Sequence, residues 1–129
     1  MSLITSLIIS LITTIVFEYV IIKIILKNSQ KYIFRNSMLA NLITNPPVVY
    51  IANLLLAILP SNMIILYFAL IIAIEISVVF IEGYVYHILF EFQKKEAIKL
   101  SAIANIIAFS LGILLTPIEQ IQNLLYLKI

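Results

Sequence analysis

The run MIILYFALIIAIEISVVFIEGYVYHILF, residues 63–90, decides the fold. Its only formally charged side chains are Glu75 and Glu82, and Gly83 is its only glycine. A helix crosses a bilayer with about 20 apolar residues, so this run is long enough to tilt or to project past the membrane. It is apolar all round, whereas the helix of a soluble domain shows one apolar stripe. A transmembrane strand would need alternation of polar and apolar residues over about ten positions, which the run lacks.

Three more apolar stretches flank it. Upstream, Pro60-Ser61-Asn62 forms a tight polar turn that closes a span over residues 37–59, and another span covers residues 3–26. Downstream, a span over residues 98–116 is stopped by Pro117. The connections are too short to hold a soluble domain. The spacing predicts an all-α membrane protein: a single domain over residues 1–129, folded as a four-helix transmembrane bundle. In the tail, residues 117–129, apolar Ile118, Ile121, Leu124 and Leu125 alternate with Glu119, Gln120, Gln122 and Asn123. That pattern reads either as a short interfacial helix or as a frayed terminus.

Composition excludes much else. The chain of 129 residues is 64% hydrophobic and 11% charged, against about 45–50% apolar and about 25% charged in a soluble domain. Its net charge of +2 leaves no electrostatic footprint for nucleic acid. With no cysteine there is no disulfide, thiolate metal site or cysteine nucleophile. Two glycines, Gly83 and Gly112, cannot build a phosphate loop. The sequence calls for no cofactor and no metal. Frequent Ile, Asn and Lys, with no Asp, fit an AT-rich prokaryotic genome. The first residues lack the basic start and cleavage site of a signal peptide and read as a retained span.

Cations set the expected orientation. Lys23, Lys27, Lys31 and Arg35 surround the first connection, and Lys94, Lys95 and Lys99 the third. Only Lys128 lies elsewhere. Both termini are therefore expected outside, in a multi-pass protein of the cell membrane.

Three glutamates interrupt the spans: Glu18, Glu75 and Glu82. An ionised residue at the bilayer centre costs about 2.5–3.5 kcal/mol, so these carboxyls are expected to face the bundle interior. Counted from span edges at residues 26, 37, 90 and 98 with the helical rise, Glu18, Asn45 and Glu82 lie about 12 Å deep, Asn105 about 10 Å, Asn41 about 6 Å and Glu75 about 22 Å. Each span thus brings a polar side chain to the cytoplasmic half. Glu75 and Glu82, seven apart, share a stripe with Val78, Val79 and Tyr86. Asn41, Thr44 and Asn45 share a face, and Pro46 and Pro47 then read as a helix break that frees the carbonyls of Leu42 and Ile43. Ser101, Ala104, Asn105, Ala108 and Gly112 form a small-residue stripe suited to close helix approach.

Each feature has a functional and a packing reading. The glutamates and amides form either a site for a proton, cation or polar ligand, or a hydrogen-bonded network that fixes the helices. The Pro46–Pro47 break either offers carbonyls to a ligand or is a static kink. His87 is a metal ligand, a proton shuttle or an interfacial side chain; it points about 140° away from Glu82 on an ideal helix, so the two do not make a joint site. Glu91, Lys94, Lys95, Glu96 and Lys99 read as a solvated helix end, and Tyr84, Tyr86, Phe90 and Phe92 as an interfacial aromatic belt. The single histidine has no evident serine partner for nucleophilic catalysis.

At Asn41-Leu42-Ile43-Thr44-Asn45-Pro46 the chain resembles a loose group of small, uncharacterised prokaryotic four-span membrane proteins. They share a first-span glutamate, an Asn-x-x-Thr-(Asn/His)-Pro stretch, a third span with two glutamates seven apart and a fourth with Ser-x-x-x-Asn. The matching positions here are Glu18, Asn41, Thr44, Asn45, Pro46, Glu75, Glu82, Ser101 and Asn105. The resemblance covers nearly the whole chain and implies no activity. The chain also resembles small multidrug-resistance transporters, four-span proteins of similar length whose first-helix glutamate exchanges protons for cationic drugs. That resemblance would give Glu18 this role. Glu75, Glu82 and the one-sided cations depart from that pattern.

The expectation is a small integral membrane protein with a polar cavity in its cytoplasmic half, lined by Glu18, Asn41, Asn45, Glu82 and Asn105, with Thr44 beside them and Glu75 deeper. It would act as a transporter or a subunit of a membrane complex. A purely structural partner subunit is the next reading, and an intramembrane enzyme using paired glutamates the third. Expected partners are the lipid bilayer and other membrane subunits or a second copy of the chain, with no nucleic acid.

Overall fold

The computed structural model describes residues 2–27 and 29–115. Four helices account for nearly all of them: α1 (Leu3–Leu26), α2 (Ile33–Ile58), α3 (Ile64–Phe90) and α4 (Lys94–Leu115), with a 3₁₀ turn at Ser61–Met63 before α3. The tail, residues 117–129, lies outside the described residues, and so do the two readings of it.

Local chemistry explains the helix ends. The Ser2 hydroxyl caps α1 by accepting from the Thr5 N–H at 3.2 Å. Lys27, at φ 53°, ends that helix. Leu59 closes α2 by donating to the Leu55 carbonyl just ahead of Pro60, which cannot continue the helix. Glu91 ends α3 in the left-handed conformation, at φ 57°. That position usually falls to glycine.

Two helices begin earlier than the sequence suggested. α2 starts at Ile33 and α4 at Lys94, each four residues before the first apolar stretch. The first turns, residues 33–36 and 94–97, carry charged and amide side chains that interrupt the apolar pattern, and both helices take them in. α2 also continues through Pro46 and Pro47 without interruption, so the expected break is not one. The missing donors do leave the carbonyls of Leu42 and Ile43 without a helical partner. Both residues lie on the outer face, 45% and 54% exposed, away from the polar face of α2.

The helices pack in a ring, α1 against α2 and α4, and α3 against α2 and α4. The end that carries the α1–α2 and α3–α4 connections is the filled end. Ile21, Ile22, Ile33, Ala40, Tyr86, Phe90, Ala97, Leu100 and Ala104 form one core there. The Phe90 ring stacks on Phe92 at 5.4 Å and lies 5.6 Å from Tyr86. Tyr86 and Phe90 are therefore core residues and not part of an interfacial belt, whereas Tyr84 does face outward. Helical position decides this: Tyr86 continues the stripe through Val78 and Glu82, and that stripe is the buried face of α3. His87 Nδ1 meets the Phe92 carbonyl at 2.5 Å, tying the end of α3 to the turn before α4.

Gly83 permits the close approach of α3 and α4. A Cβ added there would stand 2.8 Å from both the Cα and the Cγ1 of Ile98. The stripe on α4 ends differently from its expected role, since a Cβ added at Gly112 would meet nothing within 4 Å.

Outward faces are almost wholly apolar. Ile8, Ile12, Val16, Ile65, Phe68, Ile72, Phe80 and Ile88 are among many large side chains left open. Water-soluble monomers rarely expose contiguous apolar surface of more than a few hundred Å², and a surface of this kind is suited to a membrane or to another protein. Three helical segments, Leu7–Leu26, Ile33–Ile58 and Ser61–Phe90, are long and apolar enough to cross a membrane.

Candidate functional site

Three polar networks join the helices. In the first, Glu18 Oε2 accepts from Asn41 Nδ2 at 2.8 Å and from the Tyr86 hydroxyl at 3.0 Å. All three residues are fully buried. In the second, Glu82 Oε1 accepts from the Thr44 hydroxyl at 2.5 Å and Glu82 Oε2 from Asn105 Nδ2 at 2.6 Å. In the third, Asn45 Nδ2 lies 3.1 Å from Thr14 Oγ1 and 3.3 Å from Ser10 Oγ. The networks link α1 to α2 and α3, α2 to α3 and α4, and α1 to α2.

The amide orientations follow from neighbouring carbonyls. Asn41 Nδ2 also donates to the Ser37 carbonyl and Asn105 Nδ2 to the Ser101 carbonyl, both at 3.0 Å. A carbonyl can only accept, so in each case the nitrogen is the atom on that side. Asn41 Oδ1, Asn45 Oδ1 and Glu18 Oε1 are buried with no hydrogen-bond partner.

The longer α2 changes the levels counted from sequence. Glu18, Asn41 and Glu82 each lie eight residues from the filled end of their helices (Leu26, Ile33 and Phe90), about 12 Å at the helical rise. Asn41, placed nearer the edge by the later start, is thereby level with the two glutamates. Thr44, Asn45 and Asn105 follow one turn further on. Glu75 stands two turns beyond Glu82, about 10 Å along α3, and makes no hydrogen bond among the described residues.

A cavity of about 570 Å³ opens beyond these networks. Asn41, Thr44, Glu82 and Asn105 form its floor, Asn45 and Glu75 stand in its wall, and Ile9, Asn53 and Gly112 mark its far reach. This corrects two expectations. The cavity occupies the half of the molecule away from the α1–α2 and α3–α4 connections. Glu18 is not part of its wall and lies behind Asn41. Side-chain size is the reason: Tyr86, Phe90, Ile22 and Leu100 fill the connection end, whereas Ser10, Thr13, Ala52, Ala108 and Gly112 leave room at the other.

Several contributors escaped the sequence reading: Ser10, Thr14, Asn53 and, through its assignment to the belt, Tyr86. The signal was present. Ser10, Thr14 and Glu18 recur every four residues on one face of α1, and Asn53 continues the face of Asn41 and Asn45. Asn36, also missed, is buried at the connection end and donates to the Leu89 carbonyl at 3.4 Å. Pro46 and Pro47 contribute no side chain to the cavity wall. Among the described residues no three His, Cys, Asp or Glu side chains are grouped to hold a metal ion.

Comparison of this chain with known protein families, with curated proteins and with solved structures finds no match.

Proposed function

We propose that the chain is a multi-pass protein of the cell membrane, with all four helices crossing, both termini outside and the α1–α2 and α3–α4 connections in the cytoplasm. Seven of its eight cations cluster at that end, in keeping with the positive-inside rule. α4 has 22 residues and, past Lys99, no further charge.

Within that frame the cavity is a site for a proton, cation or small polar ligand, in a transporter or in a subunit of a membrane complex. One observation carries this reading: two glutamates and eight further polar side chains, drawn from all four helices, border one cavity in a molecule whose outward faces are almost wholly apolar. Polar groups at membrane depth cost stability unless something uses them, and a packed core would have been the less costly filling.

A structural role is the second reading, favoured by a specific observation. Both Glu82 oxygens and Glu18 Oε2 are already held by protein donors, as in a network that only fixes helix packing.

Liposomes separate the two. With wild-type protein and Glu82→Gln inserted equally, proton and sodium flux are followed by entrapped dyes. The binding reading expects the substitution to change flux. Unchanged flux together with a lower unfolding temperature would leave only the structural role.

A further inference from the structure

The outer face of α2 carries polar groups that nothing in the described chain satisfies. In a helix each carbonyl accepts from the N–H four residues on, and a tightened turn uses the N–H three residues on. For Ile43 those two positions are Pro47 and Pro46, so its carbonyl has neither donor. Leu42 loses only Pro46 and can still share the Asn45 N–H. The side-chain donors of α2 go elsewhere: Asn41 to the Ser37 carbonyl, Thr44 to that of Ala40, Asn45 to Ser10 and Thr14, and Asn53 to the Val49 carbonyl. The Ile43 carbonyl lies on the outward side, since Ile43 is 54% exposed and Pro47, one turn on along the same stripe, is exposed as well.

Depth makes this costly. Ile43 follows Ile33 by ten residues and precedes Ile58 by fifteen, about 15 Å and about 22 Å from the two ends of α2. At membrane depth there is no water to donate, and acyl tails offer no donor. On the outward faces of α3 and α4, the Ser77 and Ser110 hydroxyls are returned to carbonyls of their own helices, those of Ala73 and Ile106. Tyr50 is not so held. It is 55% exposed and makes no hydrogen bond among the described residues. It follows Ile43 by seven residues, hence shares its stripe. A helical tyrosine leans towards the N-terminus, over the preceding turn. Here that turn contains Pro46 and Pro47, at the level of the orphaned carbonyl.

One face thus presents an acceptor without a donor and a donor without an acceptor, at one level. Two copies inserted in the same direction, related by a two-fold axis along the membrane normal, bring equal residues to equal depth. Each then supplies what the other lacks. We infer that the chain pairs with a second copy along the outer face of α2, the Tyr50 hydroxyl of each copy donating to the Ile43 carbonyl of the other. Leu54 and Ile58, exposed on the same stripe, pack beside that contact. Helix association in lipid draws on such packing and on interhelical hydrogen bonds. The pairing rests on the single orientation proposed above and not on what the cavity holds.

Full-length protein, labelled through Lys95→Cys, is reconstituted in liposomes, and single-molecule photobleaching follows its association as the protein-to-lipid ratio falls. The expected result is a monomer–dimer equilibrium, about tenfold weaker in Tyr50→Phe and in Pro47→Ala, as for two equivalent hydrogen bonds lost. Pro47→Ala returns an N–H to the helix, so its unfolding temperature is expected not to fall and misfolding does not account for the loss. The double variant is expected to be no weaker than either single one, because both remove the same contact. In a chain without other cysteines, Leu54→Cys is expected to give a disulfide-linked dimer under mild oxidation, and Ile72→Cys on α3 none. A chain that stays monomeric at every ratio overturns the pairing, whether lipid or a different subunit covers the face. Additive losses in the double variant, or a link through Ile72→Cys alone, overturn it as well. None of these outcomes touches the topology, since only inserted protein is counted.

Discussion

Tyr86 is the residue on which the buried polar chemistry turns. Its ring fills the core at the connection end, and its hydroxyl donates to Glu18 Oε2 at 3.0 Å. Tyr86→Phe keeps the ring and removes one of the two donors to that oxygen, and a buried acceptor that loses a partner costs about 1–3 kcal/mol. Thermal unfolding in detergent is expected to show that loss, and an unchanged midpoint would mean that Asn41 alone satisfies Glu18. Sequence spacing placed Tyr86 on the stripe of Glu75 and Glu82, yet residue type suggested a belt. Position on the helix face is the stronger indicator, because burial follows the face and not the side chain's preference for interfaces.

Among the elements, the α3–α4 pair shows how a single atom sets helix separation. Gly83→Ala would bring a Cβ to 2.8 Å from the Ile98 backbone, and backbone cannot move aside as a flexible side chain would. The helices must part, at about 1–3 kcal/mol for an overpacked contact. Gly112→Ala enters open space and gains about 0.5–1 kcal/mol through lower backbone entropy in the unfolded chain. Paired melts of the two variants should therefore move in opposite directions, and a shift of the same sign in both would refute this packing account. The small-residue stripe on α4 was legible from spacing, but not which of the two glycines leaves no space for a Cβ. That depends on the crossing point of two helices, which neither helix encodes alone.

For the whole molecule, the decisive feature is the direction in which the apolar surface points. Large side chains on all four helices face outward, and the cations gather at one end. The absence of cysteine makes the proposed topology straightforward to check with single labels. In sealed cells, Lys27→Cys and Lys95→Cys should be shielded from a membrane-impermeant maleimide and react only after permeabilisation, whereas Asn62→Cys should react at once. The reverse pattern would invert the proposed orientation. Labelling of all three in sealed cells would remove the single orientation itself.

Read alone, the chain yields four apolar helical segments, three of which the structure shows long and apolar enough for a membrane, and the sets of polar residues that share a helix face. These are properties of composition and period, and each is local. Packing between helices is what sets Asn41 level with Glu18, shares Glu82 between Thr44 and Asn105, and leaves the cavity away from the cation-rich end. Those outcomes depend on where neighbouring helices begin, how closely glycine lets them approach and which side chains from different segments compete for the same volume. No single stretch of chain carries that information, because packing is a property of pairs.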